Sequence, residues 1–104
     1  MQEENLGIII GTVLEAEKIQ GTERLHKIII DIGEGKKVQI ASGIPGDFEQ
    51  GYLIGKQVPI HMSVKPMKIH GILSEARFLA TSDARGTPIL LHPEKKVPAG
   101  SKVW

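Results

Sequence analysis

Apolar residues in this chain recur with the two-residue period of half-buried strands, and no amphipathic helical window of ordinary length stands out. The first element covers residues 6–17 and is rich in Ile, Val and Thr. Gly7-Ile8-Ile9-Ile10-Gly11 does not fit a helical stripe but does fit a long strand with a bend or bulge at Gly11. The second strand is 25–32. His26, Ile28, Ile30 and Ile32 share one face, and Leu25, Lys27, Ile29 and Asp31 the other. The third is 37–42, with Val38 and Ile40 inward. Parity chooses the turn between them. A two-residue Glu34-Gly35 turn sets Ile30 opposite Gln39 and breaks the core face. A three-residue loop, Gly33-Glu34-Gly35, sets Ile30 opposite Val38 and Ile28 opposite Ile40, with Gly35 left-handed and Asp31 facing Lys37 as an outer ion pair.

Residues 43–56 are too glycine-rich for a strand and predict a single helical turn near 48–53. The fourth strand is 57–62, with Val58, Ile60 and Met62 inward. Residues 63–74 read as a basic loop, 75–81 as the fifth strand, and 88–91 as its return after Ser82-Asp83-Ala84-Arg85-Gly86. The tail 92–104 holds Pro93, Pro98 and Gly100 and reads as irregular but packed. The expected fold is all-β, a five-stranded OB-fold barrel with a short helical insert after the third strand and an irregular C-terminal extension. Residues 1–104 are expected to form one domain.

At 104 residues the chain is too short for a synthetase, kinase or dehydrogenase catalytic domain. It has no cysteine, hence no disulfide framework and no thiolate metal site. No apolar run approaches the roughly 20 residues that span a bilayer, and the start Met1-Gln2-Glu3-Glu4-Asn5 is acidic, unlike a signal peptide. A cytoplasmic protein with no membrane partner is expected. The net charge of +1 argues against a nucleic-acid binder until it is resolved along the chain. Residues 1–35 carry three Lys/Arg against seven Asp/Glu, whereas 56–85 carry five against two and 86–104 three against one. The second half is basic.

His26, His61, His70 and His92 show no metal-ligand spacing, and no glycine-rich phosphate loop or nucleophile elbow is present. The expectation is a non-enzyme without metal or cofactor. The informative stretch is 63–77. Lys65, Lys68 and Arg77 face one side if this loop folds over the barrel mouth, and Ser74 adds a hydrogen-bond donor for phosphate. Aromatic residues are few. Phe48 and Tyr52 are expected to plug the core from the insert, Phe78 to sit in the core, and Trp104 to pack at a dimer seam or on its own barrel. Single-strand binding by stacking therefore fits poorly, and recognition of a folded RNA by shape and backbone fits better.

The order of several short motifs resembles the tRNA-binding domain found at the C-terminus of many methionyl-tRNA synthetases, in free-standing tRNA-binding proteins and in CsaA-type proteins. Gly11-Thr12-Val13-Leu14-Glu15-Ala16-Glu17 is similar to that family's opening strand, and Leu25 followed by Ile30-Asp31-Ile32-Gly33 to its hairpin. Ile40-Ala41-Ser42-Gly43-Ile44 is similar to its I-x-S-G-I, and Leu53-Ile54-Gly55-Lys56-Gln57-Val58 to its L-x-G-K-x-V. Lys65-Pro66 with Gly71 and Ser74, and the tail Val97-Pro98-Ala99-Gly100-Ser101-Lys102-Val103, complete the series. Lys65 and Ser74 match the family's RNA-contacting positions by identity, Arg24 stands for its first-loop lysine, and Arg77 replaces a methionine. The resemblance implies a non-catalytic tRNA-binding module that works alone or in support of a methionyl-tRNA synthetase. It also implies a homodimer built through roughly 92–104. The implied RNA contacts are Arg24, Lys65, Lys68, Ser74 and Arg77. A CsaA-like chaperone for unfolded polypeptides and a scaffolding subunit stay open beside it.

Overall fold

The computed structural model describes residues 6–23, 25–43 and 51–104. Five strands make the barrel: β1 (Ile8–Lys18), β2 (Leu25–Gly33), β3 (Lys36–Gly43), β4 (Gln57–His61) and β7 (Arg77–Phe78), in the order β3-β2-β1-β4-β7, all neighbours antiparallel. Two hairpins are added outside it, β5 (Met67–Ile69) with β6 (Ile72–Ser74), and β8 (Ala80–Ser82) with β9 (Pro88–Leu90). This is the expected all-β, nearly closed OB-type barrel.

β1 belongs to both sides of the barrel. Its first half pairs with β4, from Ile8 opposite His61 to Thr12 opposite Gln57, and its second half with β2. The bulge that separates the halves falls between Val13 and Glu15, not at Gly11. Gly11 is needed for another reason: a Cβ there would collide with Cγ2 of Ile30, so the glycine lets β1 lie close over the core. The β2–β3 register matches the parity argument, with Ile28 opposite Ile40 and Ile30 opposite Val38. The loop differs from the expected one. Glu34 (φ 57°) and Gly35 (φ 73°) form a two-residue turn, and a bulge before Gly33 (φ 90°) restores the register that this turn alone would break. Asp31 and Lys37 sit opposite each other, but Asp31 Oδ1 accepts from Gly33 N at 2.8 Å; the cross-strand ion pair among the described residues is Lys27–Glu17, at 3.0 Å.

The core is Val13, Ile28, Ile30, Val38, Ile40, Leu53, Val58, Ile60 and Ala76, with Met62 and Phe78 packed against it. Each fully buried Ile contributes about 1.5–3 kcal/mol of apolar burial. Among the described residues the expected helical insert is not seen. Gly51–Gly55 are turns, Gly51 (φ 91°) and Gly55 (φ 86°) are left-handed, and a left-handed residue ends a helix. Residues 44–50, with Phe48, lie outside the described residues. Tyr52 does not plug the core. It is 48% exposed with the Lys56 ammonium 4.6 Å from its ring centroid, and Leu53 is the buried residue instead. Among the described residues no helix is long and apolar enough to cross a membrane.

The tail is irregular and tied down along the free edge of β1's first half. Ile10 N donates to Ser101 O (2.8 Å), Gly100 N to Ile10 O (2.7 Å) and Val103 N to Ile8 O (2.9 Å).

Candidate nucleic-acid interface

Residues 63–74 are largely a hairpin rather than a loop. His70 (φ 52°) and Gly71 (φ 82°) make a two-residue turn that sets Ile69 opposite Ile72, Lys68 opposite Leu73 and Met67 opposite Ser74. One face carries Met67, Ile69, Ile72 and Ser74, and the other Lys68 and Leu73. The hairpin tip reaches the β1–β2 loop, where a Cβ on Gly21 would lie 3.8 Å from His70 Nε2. The strand expected over 75–81 is split. Arg77–Phe78 pairs with β4, and Ala80–Ser82 turns away to pair with β9.

The hairpin closes the barrel against the open edge of β3, and does so largely through side chains. Glu75 N donates to Gln39 O (2.8 Å), Gln39 N to Glu75 Oε1 (2.9 Å) and Gln39 Nε2 to Leu73 O (2.9 Å). Buried Ser74 accepts from Ala41 N at 3.1 Å and donates to Ala76 O at 3.2 Å.

Past this seam, β3 and β7 diverge around a cleft of about 230 Å³. Its floor is apolar, with Leu25, Val64, Ile69 and Phe78 among its residues, and the exposed Met67, Lys65 and Arg77 stand on its rim. Both cations are exposed, and neither forms a salt bridge among the described residues. The carboxylate nearest Arg77 in sequence, Glu75, is turned to the Gln39 N–H. The cleft thus brings two cations that form no salt bridge among the described residues beside an apolar surface.

The sequence-expected residues are divided by this geometry. Lys65, Ser74 and Arg77 come together at the cleft, with the Ser74 hydroxyl engaged by the backbone. Lys68 projects from the opposite face of the hairpin. Arg24 lies outside the described residues. The apolar floor was missed because 63–74 read as a loop; the signal was Met67 and Ile69 alternating up to a His-Gly turn followed by Ile72. Among the described residues no three His, Asp or Glu side chains gather as a metal would need.

A nearly closed five-stranded barrel with a basic-rimmed cleft beside its fifth strand defines a binding module of OB type. The chain belongs to the putative tRNA-binding domain family, whose model matches residues 8–102. It is 44% identical over 95 residues to the methionine–tRNA ligase of Methanothrix thermoacetophila, a match covering 91% of this chain but only 14% of that enzyme's length. Its structure is similar to that of the MetRS-related protein of Pyrococcus horikoshii, with a TM-score of 0.85, 31% identity, and coverage of 93% of this chain and 88% of that one. The chaperone CsaA of Bacillus anthracis is also similar, with a TM-score of 0.83, 28% identity, and coverage of 93% and 89%.

Proposed function

We propose that this chain is a non-catalytic tRNA-binding module that recognises folded RNA by shape and backbone. In this reading it acts in the cytoplasm as a homodimer, alone or in support of a methionyl-tRNA synthetase. The observation that carries the reading is the family match over residues 8–102. The placement of Lys65 and Arg77 on one cleft rim supports it. In this reading the two cations hold phosphates, Ser74 anchors the hairpin that lies between them in the chain, Lys68 contacts RNA from the hairpin's other face, and Arg24 is a further RNA contact. The exposed apolar Leu91 and Trp104 support a dimer contact near the tail, within 92–104 and the residue before it. Two modules per dimer then present two patches to one RNA.

The test is tRNA affinity measured at several salt concentrations. Lys65→Glu with Arg77→Glu is expected to weaken binding by at least about tenfold and to flatten the salt dependence, since each lost phosphate contact removes roughly 0.7–0.9 from the slope of log K against log salt. Unchanged affinity with unchanged folding would sink the site.

A second reading is favoured by the apolar cleft floor and the likeness to CsaA: the cleft takes an extended polypeptide segment. Peptide binding of that kind survives high salt, whereas phosphate-mediated binding does not.

A further inference from the structure

A second basic concavity lies away from the cleft, where the tail crosses the start of β4. Residues 92–97 hang there between two fixed ends, and one residue holds both. The main-chain carbonyl of Gln57 lies 2.7 Å from His92 Nδ1. The side-chain amide of Gln57 clasps Val97, Nε2 donating to Val97 O at 2.6 Å and Oε1 accepting from Val97 N at 3.0 Å. A carbonyl only accepts, so His92 Nδ1 is the donor in this contact.

The loop so held, together with Lys56, walls a concavity of about 290 Å³ lined by Gly55, Lys56, His92, Glu94, Lys95 and Lys96. Three lysines and one glutamate are among the residues that line it. None of the three lysines forms a salt bridge among the described residues, and Lys56 is steadied from below by the Tyr52 ring. With three cations against one carboxylate the concavity keeps an excess of positive charge, which a bound anion offsets.

We propose that this concavity is a phosphate site. On the reading that the chain binds tRNA, on which this step rests, it holds a backbone phosphate outside the cleft's footprint. β4 joins the two places. It begins at Gln57 beside the concavity and ends at His61, which is paired with Arg77 of the cleft rim. Four strand steps span about 13 Å, so the two sets of cations lie close enough to meet one RNA. One RNA strand following β4 meets both sets of cations. Lys95 and Lys96 are exposed in the single chain, and the dimer contact is proposed at Leu91 and Trp104 rather than over them.

The experiment compares tRNA affinity against salt for the wild-type chain, Lys95→Ala/Lys96→Ala, Glu94→Gln, and Lys36→Ala/Lys37→Ala as a control that removes the same charge from the β2–β3 hairpin. The substituted side chains are exposed, so the melting temperature and oligomer mass are expected to hold. The Lys95/Lys96 variant is expected to lose about 1.5 from the salt slope and roughly five- to thirtyfold in affinity at ~0.1 M salt. Glu94→Gln is expected to gain about two- to fivefold, and the control to match the wild type. If the wild type binds tRNA and the Lys95/Lys96 variant keeps its slope, the site is overturned. If the wild type does not bind tRNA, the tRNA reading fails and inorganic phosphate decides the site. Saturable amide shifts confined to residues 94–97, and lost in the Lys95/Lys96 variant, sustain it, and their absence ends it.

Discussion

Gln57 shows how much of this structure rests on single side chains. It is 8% exposed, and its amide makes three hydrogen bonds, two to the Val97 backbone and one from Nε2 to Thr12 Oγ1 at 3.1 Å. A primary amide carries its donor and its acceptor side by side, so it can donate to the carbonyl and accept from the N–H of one residue at once. Gln57→Ala is expected to cost about 2–3 kcal/mol in urea unfolding, with faster hydrogen exchange at the Val97 amide as its local sign. Gly33 and Gly100 are equally demanding. A Cβ on Gly33 would strike the carbonyl oxygen of Ala99, and one on Gly100 that of Ile32, while both residues are left-handed, at φ 90° and 92°. Gly100→Ala is expected to destabilise by at least about 2 kcal/mol, read as a lower urea midpoint at unchanged slope. The family-like Pro-Ala-Gly-Ser tail is therefore explained by a backbone crossing that admits no side chain.

Among the elements, the strands with strict alternation were readable in the sequence. Ile28, Ile30, Val38 and Ile40 fixed both register and face, because a one-residue slip would turn every one of them to solvent. Elements too short for alternation to accumulate were not. β5, β6, β7 and β8 have three, three, two and three residues, and pairing decides where each starts: β5 with β6, β7 with the distant β4, and β8 with β9. The same limit hid half of the candidate site. Lys65 and Arg77 were found by charge, but the side on which Lys68 projects depends on the hairpin's register, which only the folded turn reveals. The seam at β3 adds a further expectation. Ser74→Ala leaves the buried N–H of Ala41 without its partner and is expected to cost about 1–2 kcal/mol in thermal or urea unfolding. Because the Ser74 hydroxyl is bonded to the backbone, the salt slope of tRNA binding should be unchanged in this variant while the affinity falls with hairpin order.

For the whole molecule, the charge asymmetry seen along the chain takes a spatial form: a basic-rimmed cleft at one end of β4 and a lysine-lined concavity at the other. In the proposed dimer these sites are doubled. The expected solution mass is about twice 11.3 kDa, and Trp104→Lys is expected to halve it and to lower tRNA affinity by at least about tenfold through lost bivalency. A monomeric wild type would count against the dimer without touching either basic site. The tail's pairing with β1 has one more consequence, and it is mechanical. The pairing is antiparallel, with Ile9 bridged to Lys102, so the chain leaves the ladder at Ile8 and at Val103 on the same side. A pull applied across these two points does not shear the bonds together. It opens them one after another, first Val103 to Ile8, then the pair at Ile10, until the load reaches the Gln57 clasp. When both sides are tethered to larger bodies, the tail peels like a zip with a catch at its far end, and the barrel keeps its core while the tail yields.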